Sequence, residues 1–198
     1  TTILSHWTGV ERYVDHLDTL IAWGQEQSRA DFNFHPIIGL DTHIDQIPAL
    51  VKRGVNSFKH YHYLYFDPRG RALGIYPCDD VMLYKSFAAI AKAGPPAIAM
   101  VHAEDGPIVA HLIEEVKASG RNDLEAWTLA RPPLVENLRI RRALDIARHL
   151  STPLYFVHVT TNAWMMELSM MEPELLRVLN AKVVRKPVKK IRWMIRHG

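Results

Sequence analysis

The chain has 198 residues, 48% of them apolar and 23% charged, which is ordinary for a globular fold and long enough for one well-buried domain or two small ones. No stretch approaches ~20 uninterrupted apolar residues, which excludes a membrane-spanning helix of the usual kind, and the single Cys78 excludes an internal disulfide and a thiolate-rich metal site. The net charge of +3 conceals an asymmetry: residues 182–198 hold seven of the 24 basic residues and no acid, leaving 17 basic against 21 acidic residues elsewhere.

In chain order, apolar residues at Val10, Tyr13, Val14, Leu17, Leu20 and Ile21 have helical spacing and predict a helix over 10–25. The run 31–39, DFNFHPIIG, is rich in aromatic and branched residues and predicts a strand. Ile44, Ile47, Leu50 and Val51 share one face of a helix over 42–53 that Gly54 stops. A second strand is predicted over 55–63, then a polar loop over 67–80. A helix over 81–93 ends at Gly94, and a short apolar strand covers 97–102. Helices follow over 107–119, starting near Asp105, then over 123–130 and 136–150. The last clear strand is 154–160, LYFVHVT, and a Met-rich helix is predicted over 165–179.

Apolar strands alternating with amphipathic helices imply an α/β fold with parallel strands and outer helices. About four βα units suggest part of a (β/α)8 barrel of the TIM type, or else a doubly wound open sheet. Reactive residues in such folds collect where strands end. Three candidates stand late in apolar runs: Lys59, His102 and His158. Neutral imidazole is a common metal ligand. A desolvated lysine can become neutral and take up carbon dioxide as an oxygen-donating carbamate. Bland alternatives are core histidines and a strand-end lysine whose stem is buried.

Four stretches occur in one order: GVNSFK (54–59), MVHAEDG (100–106), Arg131-Pro132-Pro133 with Glu136, and PLYFVHVT (153–160). Together they resemble the dihydropyrimidinase and hydantoinase branch of the metal-dependent cyclic amidohydrolases, over roughly residues 8–161. The resemblance implies a carboxylated Lys59 bridging two divalent ions, most readily zinc, with His102 and His158 as further ligands. It implies metal-assisted hydrolysis of a ring amide in a hydantoin, a dihydropyrimidine or a related small molecule. It also implies a tyrosine that steadies the oxyanion; its expected position is Leu64, so Tyr65, and after it Tyr63, are the candidates for catalysis and substrate binding. Allantoinase- and dihydroorotase-type hydrolysis share this chemistry. A non-catalytic scaffold on the same fold is the alternative.

Departures accompany the resemblance. The implied first-strand His-x-His and the later catalytic Asp have no counterpart here. The one His-x-His, His60 and His62, follows Lys59 directly and reads as a strand-surface or loop pair. The Asn usual after HAE is Asp105. The chain thus reads as an internal fragment: a partial barrel over 1–161, then a divergent helix and basic tail over 162–198. The tail reads as a solvated end; neither a membrane nor a nucleic-acid partner is expected. Thr1 in place of an initiator Met and no signal pattern suggest a trimmed chain, and the lone Cys78 suits a reducing, cytoplasmic compartment. Exposed outer strands near DFNFHPII and LYFVHVT predict a homo-oligomer.

Overall fold

A computed structural model describes residues 3–7, 11–29, 31–62, 68–72, 74–76 and 78–157. They belong to one compact unit, residues 1–157. Its elements are β1 (Ile3–Trp7), α1 (Tyr13–Gln27), β2 (Phe32–Pro36), α2 (Asp41–Lys52), β3 (Ser57–Tyr61), α3 (Pro68–Ala72), α4 (Asp80–Ala93), β4 (Ile98–His102), α5 (Gly106–Ala118), α6 (Leu124–Leu129), α7 (Pro133–Leu150) and β5 (Leu154–Val157).

Every pairing among the described strands is parallel, and β1 joins β2 while β3, β4 and β5 pair in sequence. A bridge between Ile37 and Lys59 links the two sheets, with the Ile38 amide donating to the Lys59 carbonyl at 2.8 Å. Spatial order therefore follows chain order from β1 to β5. Doubly wound sheets reverse their strand order at a switch point, and the described strands contain no such reversal. Helices α1, α2, α4 and α7 pack side by side in the same succession.

The helices cover one face of the sheet. Phe58, His60, Ala99 and Val101 lie on it, all at most 2% exposed. His60 fixes the assignment: its ring meets Phe87 of α4, and its Nε2 lies 2.8 Å from the Ser86 hydroxyl. Alternation along a strand then places Lys59, Tyr61, Met100, His102 and Tyr155 on the opposite face.

Local chemistry sets the helix starts. Asp79, Asp105 and Asp123 each precede a helix and accept a hydrogen bond from the amide three residues on, satisfying a donor that the helix leaves open. Asn and Asp serve about equally in that position, so Asp105 meets the capping requirement of α5 as well as the Asn that the resemblance implies.

Several expectations are corrected. The strand β1 carries no period in its sequence; it pairs along all of β2, so the DFNFHPII run is not an outer edge. The loop predicted over 67–80 contains the one-turn α3. His60 is not a strand-surface residue but is buried beneath α4. The expected helix over 165–179 and the strand's continuation past Val157 lie outside the described residues.

Candidate metal centre

Lys59 sits in the middle of β3 and is 1% exposed. Its side chain faces away from the helices, with Nζ 4.8 Å from the centre of the Tyr61 ring. Burial favours the uncharged amine and pulls its pKa down from 10.5 to about 8. No carboxylate pairs with it among the described residues. A buried lysine without an anion is a costly structural choice. It fits an amine that is neutral, or one converted to a carbamate.

His102 is the last residue of β4. Lys59 pairs with Met100, and Tyr61 with His102, so the lysine and the histidine lie on one face, one strand apart and offset by two residues. Glu104, two residues past the strand, has Oε2 2.8 Å from His102 Nε2. Its Oε1 lies 3.3 Å from Arg131 Nε, and the Arg131 guanidinium rests on the Trp127 ring with Cζ 3.2 Å from its centre. The chain from Trp127 through Arg131 and Glu104 to His102 is set by tertiary structure, although Glu104 and Arg131 both lie in the motifs MVHAEDG and Arg131-Pro132-Pro133. A carboxylate two residues beyond a strand-end histidine was the available signal.

The His60–His62 pair divides. His60 belongs to the core; its Nδ1 lies 3.1 Å from the Met100 carbonyl, and burial lowers its pKa to about 4. His62 Nδ1 accepts from the Gly106 amide at 2.9 Å, which anchors the start of α5. The Glu104 carbonyl lies 3.3 Å from the same nitrogen. The backbone N–H can only donate, so Nδ1 acts as acceptor and the carbonyl contact is secondary.

Lys59 and His102 are thus brought to one face. His158, Tyr63 and Tyr65 lie outside the described residues. Among the described residues no three His, Cys, Asp or Glu side chains gather as a ready metal site. No helix there is long and apolar enough to cross a membrane.

These features define a parallel α/β protein with a buried lysine and an oriented histidine on the face away from its helices. Comparison with known proteins makes the assignment narrower. The chain is 33% identical over 136 residues to a D-hydantoinase of Ralstonia pickettii, covering 68% of this chain and 28% of that protein. It is 30% identical over 153 residues to a dihydropyrimidinase of Rattus norvegicus, covering 76% of this chain and 28% of that one. A solved D-hydantoinase structure superposes with a TM-score of 0.71 at 28% identity, over 89% of this chain and 37% of the other. In sequence and fold the chain is similar to these hydantoinases and this dihydropyrimidinase, and it spans 28% of the length of the two curated relatives. A second likeness concerns the end of the chain: the family model described as "Dna[CI] antecedent, DciA" matches residues 154–193, a stretch that includes His158.

Proposed function

We propose that this chain forms part of a metal-dependent cyclic amidohydrolase that opens the ring amide of hydantoins, dihydropyrimidines or related cyclic ureides and imides. One observation carries the reading: Lys59 is buried without a carboxylate partner among the described residues, on the same face as the strand-end His102. In this reading the strands are part of a (β/α)8 barrel, and Lys59 is carboxylated. Lys59, His102 and His158 would hold two divalent ions, zinc in the first instance. Bound ions of this kind supply Lewis acidity and a water acidic enough to attack near neutral pH. The chain's own contribution is to desolvate Lys59, to fix the His102 ring through Glu104, and to offer Tyr65, with Tyr63 beside it, to the substrate. Homo-oligomers in a cytoplasmic setting complete the proposal. Allantoinase- or dihydroorotase-type substrates fit the same chemistry.

Ring opening of hydantoin, phenylhydantoin and dihydrouracil, followed with metal content per chain after purification without chelator, tests this. The chain carries only part of the ligand set that the reading needs, so turnover by the chain alone is expected to be slight. Whatever metal and turnover it has should fall to background in Lys59→Ala. Metal and turnover undiminished by that substitution would overturn the reading.

A further inference from the structure

We propose that Glu104 is a positioning residue for His102: it selects which imidazole nitrogen the histidine presents, and Arg131, seated on Trp127, holds Glu104 in place. The proposal rests on the reading of His102 as a ligand for its purpose, but not for its geometry.

A carboxylate oxygen accepts and does not donate. With Oε2 at 2.8 Å, the proton of the neutral His102 ring therefore sits on Nε2, and Nδ1 is left with the lone pair. The hydrogen bond made by one ring nitrogen sets the role of the other. A carboxylate behind a ligating histidine orients the ring and raises its basicity.

Glu104 is itself held from several sides. Its amide donates to the His102 carbonyl at 3.2 Å, and the next amide, of Asp105, donates to the Val135 carbonyl at 3.0 Å. The amide after that, of Gly106, donates to His62. The backbone is thus tied to β4, to the start of α7 and to the segment after β3, while the side chain is tied to Arg131. Arg131 is only 10% exposed, so its pairing with Glu104 is screened far less than a surface contact. Trp127 adds a flat face under the guanidinium, a stacking that favours Arg over Lys at this position.

The test is the tautomer of His102, read from its imidazole nitrogen resonances in the full 198-residue chain, without metal and with the ring neutral. In the unaltered chain Nε2 should be the protonated nitrogen and Nδ1 the bare one. In Glu104→Ala the ring should lose that preference, whereas Glu104→Gln, which keeps an acceptor oxygen, should retain much of it. Zinc affinity measured on the same samples should drop 10- to 100-fold in Glu104→Ala if His102 is a ligand. A proton on Nδ1 in the unaltered chain overturns the proposal, and that spectrum requires no variant to fold. An unchanged tautomer in Glu104→Ala overturns it as well. The expected tautomer together with a zinc affinity that His102→Ala leaves unchanged would uphold the positioning role and defeat the ligand reading alone.

Discussion

Tyr13 shows how a single buried polar group constrains this fold. Its ring is 1% exposed beside His43, and its hydroxyl donates to the Ile37 carbonyl at 2.5 Å. That carbonyl belongs to the residue that bridges the two sheets through Lys59. Burial pushes the Tyr13 phenol well above its usual value of 10. The sign of the linkage follows. The unfolded phenol ionises near pH 10 while the native one stays protonated, so Tyr13 contributes fully below pH ~10 and its contribution is lost as pH rises beyond that. Tyr13→Phe should cost about 1 kcal/mol at neutral pH, the net worth of one hydrogen bond, and should flatten the loss of stability between neutral and strongly alkaline solution. Denaturant titrations at several alkaline pH values check both effects. An equally steep alkaline loss in the variant would show that other groups govern it.

At the level of elements, close approach matters as much as pattern. A Cβ added at Gly39 would meet Tyr76 Cβ at 2.5 Å and the Tyr76 backbone oxygen at 3.2 Å. The segment after β2 can pass Tyr76 only without a side chain, so Gly39→Ala should destabilise the chain by about 1–3 kcal/mol through overpacking. Chemical denaturation measures it, and an unchanged midpoint would mean that the segment gives way. The helices α2, α4, α5 and α6 were legible because apolar spacing, an acidic cap or a Gly stop marks them. The strand β1 was not, because ILSHW is too short to show a period and owes its extended state to pairing with β2. The site divided in the same way. Lys59 and His102 could be found by their place late in apolar runs. Glu104 and Arg131 lie 27 residues apart in sequence, and their meeting at His102 depends on how α6 and α7 return to β4, which no local pattern encodes. His60 and His62 looked like a pair because they alternate, yet one meets a helix and the other a loop.

For the whole chain, the changes of likeness and of composition fall at different places. The hydantoinase-like motifs run to residue 160, and the basic run begins only at Lys182. The match to the second family begins at residue 154, and the first compact unit ends at Val157. Within that unit β1 and β5 each pair on one side only among the described strands, and unpaired edges invite association. The purified chain should elute in size-exclusion chromatography as a species larger than its 22.7 kDa monomer, with sedimentation giving the copy number. A compact monomer would mean that both edges are covered within one chain.

The unreversed order of strands bears on how the protein is made. A ribosome delivers β1 before β5, and each arriving strand of the five can meet the edge its predecessor has just completed. Among the described strands, none has to be threaded between two that are already joined. Growth at the edge, one strand and its helices at a time, is a route that vectorial synthesis permits for these five strands. Mechanical extension from the C-terminal end of the described unit would run that sequence backwards, releasing β5 before β4 and β4 before β3.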